Sequence, residues 1–261
     1  MDKVIVVKLG GATLGNHDTT LQDIVSLQKQ GWSVVVVHGG GKMITKWLEQ
    51  RGIATKFIDG ERVTDEATLE VVVSVLAGVV NKEIVADINA LGGLAVGISG
   101  VDGAFIQGKI KHRELGYMGE VVKVDPAPLK ALLKAGYVPV VAPVSLNTGE
   151  KTPGERGVLN INADVIAGEI AAAIGAEKLI FLTDVVGICD QKGKLVPKLS
   201  AKEAEALVAS GTASGGMIPK VKACLKALSG VAKACIIIDG RQPHALLKEI
   251  EGKGGGTTIK K

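Results

Sequence analysis

The chain has 261 residues, a formal net charge of +4, 46% apolar residues and only 3% aromatics, which suits one large α/β domain or two joined lobes packed by Val, Ile, Leu and Ala. Charges of both signs are interspersed, and no basic block with interleaved aromatics occurs. No apolar run is long enough for a membrane span or a signal-peptide core, so nucleic acid and membrane are excluded as partners and a soluble, cytoplasmic protein is expected.

In chain order, the pattern predicts a strand over 4–7, a helix over 19–30, a strand over 34–37, a helix over 43–51, a long helix over 65–91 and a strand over 94–98. Residues 104–124 read as extended pieces around a polar loop. A helix over 126–135 and a strand over 138–141 follow; then 146–160, rich in turn residues, reads as a protruding hairpin that helps shape a substrate pocket. Helices over 163–174, 201–209 and 218–229 and strands over 179–182 and 234–238 complete the pattern. The strands are continuous apolar runs, as expected where both faces are buried. Their alternation with amphipathic helices predicts an α/β fold: a three-layer αβα sandwich with a mostly parallel, open central sheet. A change of composition near Gly175 and Ala176 suggests two lobes, 1–176 and 177–261. The three cysteines, Cys189, Cys224 and Cys235, form no CxxC pair; their odd number argues against a disulfide framework, and they are read as buried, inert thiols.

In open α/β sheets, ligands sit beyond the carboxyl ends of the strands. There this chain places Lys8, Gly10 and Gly11, then His38 with Gly39, Gly40 and Gly41, then Ser99 and Gly100, then Thr183 and Asp184. Lys8 taken alone is either a solvated strand-end residue or a cation at the mouth of the sheet. The glycines of HGGGK form either a tight strand-to-helix turn or an anion cradle at a helix N-terminus. Neither a Walker A loop nor a GxGxxG fingerprint is present. Arg62 stands just before Thr64 and Asp65, which read as the cap of the long helix; it is a surface residue or a fork for a substrate carboxylate. Asn162 reads as a helix cap and Asp164 as a first-turn residue, while Asn160, outside the helix, is left over for a pocket. Pro219 suits a first helical position, putting Lys220 in the first turn, where a cation opposes the helix dipole unless it meets an anion. The histidines (His17, His38, His112, His244) show no metal-ligand spacing, and His38 is read as a strand-end packing or hydrogen-bonding residue.

Together these segments resemble the amino-acid kinase superfamily, and within it the acetylglutamate kinases of arginine biosynthesis. The resemblance runs through KLGG at 8–11, HGGG at 38–41, GERVTD at 60–65, ISGVDG at 98–103, NINAD at 160–164, LTDVVGI at 182–188, SGGMIPK at 214–220 and IIDGRQPHAL at 237–246. It implies the amino-acid kinase fold and transfer of the γ-phosphoryl of ATP to the γ-carboxylate of N-acetyl-L-glutamate, with Mg²⁺ held mainly by the phosphates. It further implies that Lys8 and Lys220 stabilise the transferred phosphoryl and that Asp164 holds both. Gly10 and Gly11 would bind phosphate; Gly40, Gly41, Arg62 and Asn160 would bind the acceptor. Thr183, Asp184, Val185, Val186, Gly187, Ile188 and Cys189, with Thr212, Ala213 and Ser214, would line the nucleotide site in the C-terminal lobe.

The chain departs from the family pattern at Glu61, usually apolar, and in a longer turn-rich segment over 147–157. It begins on its first strand, without the N-terminal helix that joins dimers into hexamers in arginine-inhibited members, so the resemblance implies a homodimer insensitive to arginine. Relatives that phosphorylate carrier-bound aminoadipate tend to break the third glycine of HGGG and alter GxRVT. This chain keeps Gly41 and Arg62-Val63-Thr64, which favours acetylglutamate. An effector-binding module that had lost the chemistry would lack Lys8, Asp164 or Lys220; a nicotinamide dehydrogenase would carry the missing fingerprint.

Overall fold

A computed structural model describes residues 3–10, 19–150 and 154–261. The first half runs β1 (Val4–Leu9), α1 (Thr20–Lys29), β2 (Ser33–His38), α2 (Gly41–Gln50), β3 (Phe57–Ile58), β4 (Glu61–Arg62), α3 (Glu66–Val73), a π-helical segment Ser74–Val80, α4 (Asn81–Ala90) and β5 (Ala95–Ser99). It continues with β6 (Ile106–Ile110), β7 (Gly119–Val124), α5 (Ala127–Lys134), β8 (Val138–Ala142), β9 (Val144–Asn147), β10 (Val158–Asn160) and α6 (Ala163–Ile174). The last part comprises β11 (Lys178–Thr183), β12 (Lys198–Ser200), α7 (Ala201–Ala209), α8 (Met217–Ser229), β13 (Ala234–Asp239), α9 (Ala245–Ile250) and β14 (Thr257–Lys260).

Eight strands form the main sheet in the order β12-β14-β13-β11-β1-β2-β8-β5. Pairing is parallel from β13 to β5, and β14 runs antiparallel to β13. Alternate residues of each central strand feed opposite cores. Val4 and Val6 join one core with α5, α6, α7 and α8, whereas Ile5 and Val7 join the other with α1, α2, α3, α4 and α9. That is the expected three-layer arrangement, and it explains the unbroken apolar runs: a strand covered on both faces has no solvent side. β1 pairs with β2 on one side and β11 on the other, so the strand order reverses there. Such a reversal opens a crevice at the carboxyl ends.

A second sheet, β10-β9-β6-β7, stands apart from the main one. It accounts for the two irregular regions of the sequence: β6 and β7 pair antiparallel, as do β9 and β10, and β6 joins β9 in parallel. The predicted hairpin is thus part of a sheet rather than a free excursion, because Val144, Leu159 and Ile106 have core to bury. The long helix over 65–91 is continuous but divided by its π-helical segment. Asp65 caps it by accepting from the Thr68 amide at 2.8 Å, which holds its carboxyl below the ordinary range.

One expectation is corrected. Cys224 of α8 and Cys235 of β13, both fully buried, are disulfide-bonded with Cα atoms 5.3 Å apart. The odd count reflects one leftover thiol, Cys189, which is partly exposed, and not three independent ones. Sequence spacing gave no sign of this, since the pair forms only when a helix packs on the strand after it.

Candidate active site

Burial makes β1 end on a problem. Lys8 lies in the sheet with 8% of its surface exposed, and its ammonium must find an anion. The anion is Asp164, in the first turn of α6 and 4% exposed, whose Oδ1 lies 2.7 Å from Lys8 Nζ. The other carboxylate oxygen, Oδ2, accepts from Lys220 Nζ at 2.9 Å. Lys220 is the fourth residue of α8, and Pro219 the third rather than the first; the helix begins two residues earlier than the proline suggested. One carboxylate therefore joins two cations from strands and helices distant in sequence. Burial and the nearby Lys220 charge push the Lys8 pKa down, against the opposing pull of Asp164. Burial pushes Asp164 up, but the two ammonium groups outweigh it and hold the carboxylate below its ordinary range.

The glycine-rich turn lies beside this cluster. Leu9 pairs with His38, and the Gly39 amide donates to the Leu9 carbonyl at 3.2 Å. Helix α2 starts inside the turn at Gly41, with Gly40 at its N-cap, so amides at its N-terminus are free of intrahelical partners. Gly10 is fixed by donating to the Leu182 carbonyl at 2.9 Å. Gly11 falls outside the described residues.

Arg62 is 7% exposed and docks on the start of α2, donating from Nη2 to the Gly41 carbonyl at 3.1 Å and to Thr45 Oγ1 at 2.9 Å. Its guanidinium lies 4.8 Å from the centre of the Phe57 ring, and burial lowers its pKa. Thr64, wholly buried, donates from Oγ1 to the Arg62 carbonyl at 2.9 Å and accepts from Asn160 Nδ2 at 3.1 Å. Asn160 ends β10, four residues before Asp164. Contacts run from Lys8 and Leu9 through the glycine turn to Arg62, Thr64 and Asn160, and Asp164, four residues further along the chain, returns to Lys8. Thr64 is the member that sequence reading passed over as a cap; its position between Arg62 and the helix was the available signal.

The residues expected to line a nucleotide site fall at the carboxyl end of β11 and before α8. Thr183 is buried, Asp184, Val185 and Val186 are exposed, and the Ile188 amide donates to Thr257 Oγ1 at 2.8 Å. Thr212, Ala213 and Ser214 lead into α8 and its first-turn Lys220; Ala213 is buried and donates to the Leu207 carbonyl at 2.8 Å. Two neighbours were not singled out from sequence. Asp239 pairs with Thr183 in register, and Arg241 donates to both its carboxylate oxygens at 2.8 Å. Val186, Asp239, Gln242 and Lys248 border a cleft of about 300 Å³. The strand over 234–238 ending on the same sheet edge pointed there. Among the described residues, no group of three or more His, Cys, Asp or Glu is placed to hold a metal ion. No helix among them is long and apolar enough to cross a membrane.

Residues 3–239 match the model of the amino acid kinase family, and the chain belongs to that family. Its similar relatives include acetylglutamate kinases. That of Dehalococcoides mccartyi is 49% identical over 256 residues, covering 98% of this chain and 94% of the relative. That of a Nostoc species is 48% identical over 265 residues, covering 98% and 87%. Among solved structures, smu.665 from Streptococcus mutans UA159 matches with a TM-score of 0.83 at 25% identity, covering 100% of this chain and 99% of that one. Carbamate kinase from Giardia lamblia matches with a TM-score of 0.71 at 16% identity, covering 99% and 98%, a likeness of fold.

Proposed function

We propose that this kinase transfers the γ-phosphoryl of ATP to the γ-carboxylate of N-acetyl-L-glutamate, giving N-acetyl-L-glutamyl 5-phosphate and ADP in arginine biosynthesis. The observation that carries this reading is Asp164 holding the ammonium groups of Lys8 and Lys220, 2.7 and 2.9 Å from its two oxygens. Phosphoryl transfer asks a protein mainly for positioning and for charge on the equatorial oxygens. A carboxylate oxygen of the acceptor forms the new bond to phosphorus while the bond to the β-phosphate oxygen breaks. The acceptor is already ionised near pH 7, so no side chain has to remove a proton. Lys8 and Lys220 stabilise the charge that spreads over the moving phosphoryl group. Asp164 keeps two like charges together before substrate arrives.

Arg62 and Asn160, with Gly40 and Gly41, bind the acceptor, and Arg62 grips its α-carboxylate. Gly10 and Gly11 are assigned to binding the phosphate. Residues 183–189 and 212–214 hold the nucleotide, so the lobe over 1–176 carries acetylglutamate and dimerisation and that over 177–261 carries ATP. Both oxygens of Asp164 are taken by lysines, so a magnesium ion would be held by the phosphates and water; it would neutralise charge on the β- and γ-oxygens. We place the enzyme in the cytoplasm, as a homodimer. Edge strand β5 and the exposed Leu91 and Leu94 beside it support a dimer surface.

The test is ATP-dependent acyl-phosphate formation, trapped with hydroxylamine, across acetylglutamate, glutamate, aspartate, carbamate and aminoadipate acceptors. Acetylglutamate should turn over fastest. An inert acetylglutamate beside an active rival would overturn the assignment.

A further inference from the structure

His38 is fully buried at the end of β2, and phosphoryl transfer as described leaves it without a task. Its partners define its protonation. Asn81 donates from Nδ2 to His38 Nε2 at 3.2 Å and to the Val140 carbonyl at 2.9 Å. The Asn81 carbonyl oxygen accepts from Lys82 Nζ at 3.0 Å, which fixes the orientation of the amide. Nε2 is therefore an acceptor, and the ring proton is on Nδ1, donating to the Gly39 carbonyl at 2.8 Å. Burial, with Lys8 and Lys82 adding positive charge, pushes the His38 pKa down to about 4 against the Gly39 bond, so the ring is neutral at pH 7.

Asn81 is the first residue of α4, directly after the π-helical segment Ser74–Val80. Space for it is made at Gly97 of β5, where any Cβ would collide with the Asn81 carbonyl oxygen. Side chains of the π-helical segment pack against the glycine turn. A Cβ at Gly40 would come within 2.6 Å of Leu76 Cδ2 and 3.5 Å of Val80 Cγ2. π-helical turns recur at functional sites, where an extra residue re-aims the helix. The turn Gly39–Gly41 is thus gripped by apolar side chains and by one polar pin.

We propose that Asn81 and His38 act as positioning residues: Asn81 selects the neutral Nδ1–H form of His38, which locks the backbone of the Gly39–Gly41 turn for the oxygens of phosphoryl group and acceptor. The inference rests on the function proposed above. The neutral ring also leaves Lys8 as the cation at this end of β1. The charged groups facing the ring are Lys8 from β1 and Lys82 from α4.

The test compares His38→Ala with His38→Asn, whose amide keeps a donor near the Nδ1 position, and both with Asn81→Asp. His38→Ala should lower kcat about tenfold or more with a smaller change in KM for acetylglutamate, and His38→Asn should restore most of it. Asn81→Asp should pull the imidazole into protonation and give kcat an ionisation between about pH 5 and 8 that the parent lacks. Equal losses in His38→Ala and His38→Asn, in protein of parental fold, would overturn the pin, as would an Asn81→Asp pH profile that overlays the parent's. Should Asn81→Asp fail to fold, the two His38 variants decide alone. If the parent itself leaves acetylglutamate untouched, the functional reading fails instead, which keeps the two failures apart.

Discussion

Replacing Asp164 with Asn removes one charge and almost no volume. The parent holds a buried carboxylate between two ammonium groups at 2.7 and 2.9 Å. The variant leaves Lys8 and Lys220 facing each other with a neutral amide between them. Removing one partner of a buried pair costs about 3–5 kcal/mol. The replacing amide oxygen can still accept a hydrogen bond from one of the ammonium groups, so the low end, about 3 kcal/mol, applies. At about 2–4 °C per kcal/mol for a chain of this size, Tm at pH 7 should fall by about 6–12 °C. Loss of Asp164 deletes the main influence that keeps Lys8 protonated, and burial and Lys220 then lower its pKa further. The variant's kcat should therefore decline with rising pH earlier than the parent's, on top of a loss of about 100-fold or more at neutrality. The acid limb removes the parent's advantage. Asp164 has a folded pKa below its unfolded 3.8, so its contribution to stability is present above that value and is lost as pH falls through the folded one. The Tm gap between parent and variant should hence narrow below pH 4. Calorimetry across pH and coupled ADP release measure both quantities. Parental Tm at pH 7 together with kcat within threefold of the parent would refute the view that Asp164 organises the site.

Lys220→Ala, which leaves Asp164 paired with Lys8, should cut kcat by about 100- to 1,000-fold with a circular-dichroism spectrum like the parent's; near-normal turnover would remove Lys220 from the mechanism. Arg62→Lys keeps the charge but loses the two-pronged guanidinium, so KM for acetylglutamate should rise at least about tenfold while KM for ATP stays put, read from initial rates. Thr64→Val keeps the shape but strands the Asn160 amide; about 1–3 kcal/mol of stability should go, with KM for acetylglutamate rising more than kcat falls, and an unchanged KM would show that Asn160 does not need its partner.

The central sheet was legible because burial on both faces leaves one kind of sequence: Val34, Val35, Val36 and Val37 admit no other reading once helices flank them. Shorter pieces were not. β12 and β14 have three and four residues, and α9 has six, too few for a period to declare itself. The π-helical segment was hidden because Val71, Val72, Val75, Leu76 and Val80 are apolar enough for any helix. In the site, spacing alone left Lys8, Arg62 and Lys220 undecided between surface and function. Resemblance to a family named them and implied that Asp164 holds both lysines; the structure adds the distances of that pairing and a link absent from the sequence reading, that Thr64 ties Arg62 to Asn160. Glu61, a departure from the family pattern, meets Lys111 at 2.7 Å, so its charge is spent on the small sheet rather than on the neighbouring Arg62.

Transfer needs the acceptor oxygen and the phosphorus brought into line, and two helices set that line. α6 starts just after Asn160 and carries Asp164, while α8 starts just after Ser214 and carries Lys220. The helices cross at Gly168, where any Cβ would lie 2.7 Å from the Ala223 carbonyl oxygen, so this close approach requires glycine. The same α8 is tied to β13 through Cys224 and Cys235, and β13 ends on Asp239 beside Thr183. Residues assigned to the acceptor thus connect to residues assigned to the nucleotide through packed helices and a strand, without a loop between them. On that scaffold the Lys220–Asp164 bond joins the first turns of the two crossing helices. A change at the crossing should therefore disturb kcat before it disturbs either KM, because it alters the alignment of two sites that are each left intact.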